Sequence, residues 1–189
     1  MRDVSMRRHP DVTVFAGGLP ALPFENRRFA VVTANFVLNH VTDPPMSAAE
    51  MSRVASAGGT LVATIWTRSP SWFWLEVCER AELRPATGER LPADKDFERS
   101  VEGFGQMLSD AGWEHPEVHE VSWTWSPEPS TLWKSAEGGV ASAGAFFLGL
   151  DDADRMAFRQ AFDEVCAHRA ENGRVPLSHT AAVAVATVI

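Results

Sequence analysis

Phe29-Ala-Val-Val-Thr-Ala-Asn-Phe-Val-Leu-Asn-His-Val41 is the stretch whose reading decides the fold. Phe29 to Val37 is nearly continuous in apolar residues, the mark of a parallel strand covered on both faces. Asp43-Pro44-Pro45 then stops the chain and delivers it to a helix. Ser47 and Glu50 fit a capping box there, and Ala48, Met51 and Ala55 share one face at helical spacing. Gly58-Gly59 is expected to supply the left-handed turn that ends this helix, with Thr60 to Trp66 as the next buried strand. Strand, helix, glycine turn and strand make a βαβ unit, which calls for a parallel sheet and a right-handed crossover.

Working outward, Val12 to Ala16 is a short β-branched and aromatic run and reads as a strand, and Leu19 to Arg28 reads as a loop holding two prolines. Phe104, Met107, Leu108 and Ala111 predict a second amphipathic helix, closed by Gly112. Val118 to Trp125 alternates, with His119, Val121, Trp123 and Trp125 expected on a buried face. Residues 127–150 and 151–171 read as helical, with Phe158, Ala161, Phe162 and Val165 as the apolar stripe of the second. Met107 and Met156 are taken as core. Ala181 to Ile189 is the last strand. There is no internal repeat and no low-complexity segment.

The 189 residues are 45% hydrophobic, enough for one domain spanning 1–189 with one substantial core. A net charge of −8 argues against a nucleic-acid partner, because phosphates must be met by clustered Lys and Arg. Arg2, Arg7 and Arg8 form a short basic cluster that reads as a solvated helix face. Cys78 and Cys166 lack metal-ligand neighbours at short spacing, so reduced buried thiols and no metal are expected. No secretory pattern is visible, and the apolar run at 181–189 is far too short to span a bilayer. No membrane association is expected, and the cytoplasm is the expected compartment.

Val12 to Phe24, Phe29 to Val41 and Arg53 to Trp66 together resemble the third, fourth and fifth strands of the class I S-adenosylmethionine-dependent methyltransferases. The N-x-V-L-x-H stretch resembles the small-molecule members. The resemblance implies an α/β fold: a truncated Rossmann-like methyltransferase sheet, mostly parallel with an antiparallel last strand. A helical cover at 127–171 is implied between the closing strands, over the substrate pocket. It also implies that the family's first strand, glycine-rich turn and second strand lie upstream of Met1. No G-x-G-x-x-G occurs in the chain.

The methyl donor needs a glycine-rich turn for its carboxypropyl end, an acid for the ribose and an acid for the adenine amine. Asp3 is the one conceivable remnant of the ribose acid. Gly18 stands where the family's adenine acid is expected, and Ala30 replaces a further acid in Phe29-Ala30-Val31-Val32. Each lost acceptor costs about 1–2 kcal/mol of binding. The chain alone is therefore expected to bind no cofactor. If it does bind S-adenosylmethionine, Gly18, Leu19, Asn35 and Phe36 are the positions the resemblance assigns to it.

His40 is the candidate general acid/base, since imidazole changes charge near neutral pH. The competing reading is that it bonds a backbone carbonyl to fix the turn before Asp43, and on sequence alone that reading is slightly ahead. Seven tryptophans and no tyrosine are unusual. Trp66, Trp72, Trp74 and Trp133, with His179, are candidates to line a flat apolar substrate cavity, although core packing accounts for most such aromatics.

Three functions remain open. The chain has lost the donor site and transforms an apolar small molecule, as in the cyclisations and isomerisations of natural-product biosynthesis. Or it is a small-molecule methyltransferase completed by an upstream segment or partner chain. Or it is a non-catalytic partner subunit. Without a neighbour, Phe29 to Val37 would be an apolar edge. Two remedies are expected together: inward pairing of the Val12 strand, and a homodimer.

Overall fold

The computed structural model describes residues 6–85 and 91–189, so Arg2 and Asp3 lie outside the described residues. A four-stranded sheet has the order β1-β2-β4-β3, with β1 at Phe29–Asn35, β2 at Ala55–Arg68, β3 at Glu117–Trp125 and β4 at Leu177–Thr187. β1 and β2 are parallel. β3 and β4 run antiparallel: Ser122 meets Thr180 at 3.1 Å and Thr124 meets Ser178 at 3.3 Å, one number rising as the other falls. The mixed sheet and its antiparallel last strand agree with the expected fold class.

Between β1 and β2 lies α1 (Pro44–Val54). Its cap is Asp43, whose carboxylate accepts the Met46 N–H at 3.1 Å, and the prolines fill the first turn, where a missing N–H costs nothing. The expected capping box at Ser47 and Glu50 does not form, because the stronger start lies four residues earlier. Ser47 is buried inside the helix and donates to the Asp43 carbonyl at 2.6 Å. Glu50 accepts the Leu22 N–H at 2.6 Å and a two-pronged guanidinium bond from Arg53 at 2.6 and 2.7 Å. Arg53 holds the Glu50 carboxyl below its usual range.

Gly58-Gly59 does not end α1, and β2 begins directly at Ala55. The pair forms a bulge inside β2: Phe29 faces Ala55 and Val31 faces Thr60, so two residues on β1 match five on β2. Gly58 has φ +74°, and a Cβ on Gly59 would lie 2.7 Å from the Ser56 carbonyl oxygen and 3.0 Å from that of Ala30. Beyond the bulge the register is regular to Asn35 facing Thr64.

Two expected strands differ. Val12–Ala16 joins no strand, and only an isolated antiparallel bridge joins Gly18 to Ala21. The inward slide is therefore not made. Phe15 instead sets its ring edge-on against Phe24, and Phe24 against Phe29, at 5.1 and 5.0 Å, while Pro20 and Pro23 remove ladder donors. β3 has no buried aromatic face: Val121, Trp123 and Trp125 stay 39–48% exposed, and Val118 alone turns into the core. β3 is an edge strand, which accounts for the difference.

The expected single domain is built of two compact units. The first comprises described residues 6–67, 91–120 and 181–189. Its core joins Leu61, Ala63 and Ile65 of β2 and Ala182, Ala184 and Ala186 of β4 to α1 and to α3 (Val101–Asp110), with α2 assigned to Ser71–Arg80 of the other unit. α3 ends as expected at Gly112, φ +88°. Trp113 follows, is 2% exposed, and donates its indole N–H to the Ala48 carbonyl at 3.0 Å. The second unit, described residues 68–85 and 121–180, holds α2, α4 (Pro129–Glu137), α5 (Ala141–Gly149) and α6 (Asp152–Arg169) around Phe73, Trp133, Phe147, Phe158 and Phe162. The expected helix at 127–150 is two helices, because Gly139 (φ +66°) and an extended Val140 break it. Met156 is 70% exposed, not core. Among the described residues no helix is long and apolar enough to cross a membrane.

Trp113→Phe keeps most of the packing but removes the buried indole bond to the Ala48 carbonyl, so urea unfolding should show a loss of about 1 kcal/mol. Asp43 bonds the Lys95 ammonium at 3.0 Å, and that bond with the Met46 N–H holds its carboxyl below the usual range. Its stabilisation is complete above the unfolded value of about 3.9 and is lost as pH falls through the lower folded value. The urea midpoint of Asp43→Asn should therefore fall less than the native one on acidification from about pH 6 to about pH 3.

Candidate functional site

The carboxyl ends of β1 and β2 are held by side chains that imitate backbone. The Phe36 N–H is shared between the Thr64 carbonyl (3.1 Å) and the Thr64 hydroxyl oxygen (2.9 Å). That hydroxyl donates to Asn35 Oδ1 at 2.7 Å, and among the described residues the Asn35 amide protons have no partner. The Asn39 carboxamide adds one more rung: it accepts the Trp66 N–H at 2.8 Å and donates to the Trp66 carbonyl at 3.3 Å. Phe36 sits at φ +55°, a left-handed conformation costing a non-glycine residue roughly 1–2 kcal/mol. Its ring lies flat against Trp66, centroids 3.9 Å apart and planes 10° apart.

Asn35, Phe36 and Trp66, named from sequence, are thus together: an aromatic shelf beside a free amide donor. Thr64 and Asn39, which lock it, were missed. The readable signal was a second asparagine, four residues after the first, where a strand gives way to a turn. His40 is exposed; its backbone N–H bonds the Val37 carbonyl at 2.9 Å, and its ring has no hydrogen bond among the described residues. The turn is held by backbone and by Asn39, not by the imidazole. Gly18 accepts the Ala21 N–H at 3.0 Å across the Leu19-Pro20 turn, with open space where a side chain would stand. It offers no side-chain acceptor for an adenine amine.

In the second unit the remaining candidates part company. Trp133 is core, 8% exposed between Phe147 and Phe162 with the Arg159 guanidinium 4.3 Å over its ring. Trp72 is partly exposed beside Arg169, which is bound to Glu76 at 2.8 Å. Trp74 stacks on Phe158 and Phe162. His179 stacks on Trp123 at 5.4 Å, with Nδ1 2.9 Å from the Leu177 carbonyl oxygen. Cys78 and Cys166 are buried, and burial raises both thiols, Cys166 to about 11. Among the described residues no three His, Cys, Asp or Glu side chains gather to hold a metal.

Residues 1–63 match a family model described as a methyltransferase domain. A demethylmenaquinone methyltransferase of Renibacterium salmoninarum is 30% identical over 125 residues, covering 60% of this chain and 53% of that protein. Its namesake from Paenarthrobacter aurescens is also 30% identical over 125 residues, covering 60% and 49%. The chain spans about half the length of these curated relatives. The crystal structure of the YcgJ protein from Bacillus subtilis is similar over 99% of this chain and 77% of its own, with a TM-score of 0.56 at 14% identity. Similarity to a methyltransferase domain is thus carried by residues 1–63, and the fold of the YcgJ structure is shared along nearly the whole chain.

Proposed function

We propose that this chain is the substrate-side part of a small-molecule methyltransferase, acting on an apolar ring compound held at the ends of β1 and β2. The shelf of Phe36 on Trp66 is the observation that carries this reading, because a flat apolar surface with one adjacent donor suits a ring bearing a polar substituent. The relatives' 30% identity supports methyl transfer as the chemistry. In that chemistry a methyl group leaves a sulfonium for a nucleophile on the ring, whose proton then needs an acceptor. His40, exposed just past the shelf, is the candidate acceptor.

The donor-binding turn and acids are supplied in this reading by polypeptide other than residues 1–189. The second reading, a donor-free cyclisation or isomerisation using His40, is favoured by Gly18 and Ala30, which leave no acid for the donor. The two separate on one experiment. Calorimetric titration of the chain alone with S-adenosylmethionine should give no binding. Adding the segment of the Renibacterium protein that this chain does not match should restore it, and the shelf variant Trp66→Ala should then lose methyl transfer to ring substrates. Restored donor binding without transfer to any ring compound favours the donor-free reading. Micromolar binding by the chain alone would sink the division of labour.

The same reading concerns assembly. Among the described residues β1 pairs only with β2, and Val31 is 59% exposed on it, so the N–H and C=O groups of its other edge invite another strand. The isolated chain should close this edge with a second copy as a two-fold dimer. Light scattering should show that dimer, and Val31→Lys should shift it to monomer. A wild-type monomer at high concentration rules out self-pairing.

A further inference from the structure

The second unit contains a cavity of about 330 Å³ between the first turn of α2 and the first turn of α5. Its walls are Trp74, Leu75, Cys78 and Phe146, joined by the small hydroxyls of Ser71 and Ser142, and among the described residues no charged side chain lines it. Trp74 is already immobilised, its indole 7° from parallel with Phe158 and 20° from Phe162, so a ring laid against it needs little further ordering. The polar character sits at one place. Ser71 and Ala141 are the first residues of α2 and α5 and both line the space. Neither helix has a side-chain cap, since Pro70 and Val140 occupy the cap positions without one.

We propose that this cavity binds an apolar ring compound carrying a hydrogen-bond-accepting oxygen, a carbonyl or carboxylate. The volume lies within the range of small-molecule sites and fits a bicyclic ring. Two uncapped helix starts and two hydroxyls supply donors but no negative charge, which suits an oxygen and disfavours a cation. A phosphate is disfavoured, as no Arg or Lys among the described residues reaches the lining. The site is internal to the second unit and does not rest on the shelf of Phe36 and Trp66.

Cys78 makes the cavity testable, because it lines the space while Cys166, equally buried, does not. The probes are 2-acetonaphthone, 2-naphthoate and 2-naphthylmethylammonium, measured on the whole chain by equilibrium dialysis and by the rate of Cys78 alkylation relative to Cys166. At least one oxygen-bearing probe should bind and slow Cys78 selectively, and the ammonium should bind about tenfold more weakly, the worth of one or two lost hydrogen bonds. The ketone and carboxylate arms tell a neutral oxygen from an anionic one. Ala143→Phe, filling the space from a half-buried position, should abolish binding and protection. If that variant fails to fold, Leu75→Glu at the exposed rim should do the same for the carboxylate. Equal protection by the ammonium, or no protection of Cys78 by either oxygen probe, overturns the proposal.

Discussion

The register between β1 and β2 is the constraint on which the candidate site depends. Side chains alternate across a strand, so a slip of one residue would carry Ile65 out of the core and turn Trp66 into it. The register is fixed at both ends by different means. At the amino end Gly59 lets the backbone of β2 approach the Ala30 carbonyl, where a side chain would not fit. At the carboxyl end Thr64 and Asn39 hold the Phe36 and Trp66 backbones. Between these two clasps only one pairing satisfies both the buried face and the hydrogen bonds.

The two units solve the packing problem with different materials. The sheet face of the first is largely alanine at its closest approaches: Ala34, Ala63, Ala182, Ala184 and Ala186 line it, so α1 and α3 lie close on it. The larger side chains come from the helices, as Met51, Phe104 and Leu108, and Trp113 fixes the end of α3 to the middle of α1 through a single buried bond. The second unit is aromatic instead. Phe73, Trp74, Trp133, Phe147, Phe158 and Phe162 meet edge-on, tilted or stacked, and Arg159 covers Trp133 from outside.

Legibility in the sequence followed how local each determinant was. The β1–α1–β2 unit, α3 with its glycine stop and the final strand could be read from an unbroken apolar run or a 3.6-residue stripe. The run in β1 nevertheless misjudged its burial. Two covered faces were expected, yet only Ala34 is buried and Val31 stays 59% exposed, because no further strand or helix covers that edge among the described residues. The capping box at Ser47 misled, since the motif fits there yet Asp43 before two prolines is the earlier and stronger start. Gly58-Gly59 looked like a helix end because glycine pairs serve that role as well as bulges; only the partner strand tells the two apart. Val12–Ala16 had strand composition without a strand to pair with. The alternation in β3 was real, but alternation shows that two faces differ, not which one is covered. At the site, Asn35, Phe36 and Trp66 were readable as strand ends, whereas Thr64 and Asn39 act across 25 or more residues and left only a faint local trace.

Phe36 is where this architecture spends stability. A left-handed phenylalanine costs free energy that a glycine would not, and strain of this kind persists only when its surroundings over-determine it. They do so here: a shared N–H, a threonine hydroxyl, a carboxamide rung and a stacked indole all act on two adjacent strand ends. A glycine at the same place would relax the backbone and remove the ring. Keeping the ring yields a flat surface whose supporting hydrogen bonds are complete before any ligand arrives, so binding there need not also order the shelf. Asn35 differs from its neighbours in one respect, because its oxygen is engaged and its amide protons have no partner among the described residues. The free donor beside a finished shelf is the asymmetry a ring with one polar substituent would read.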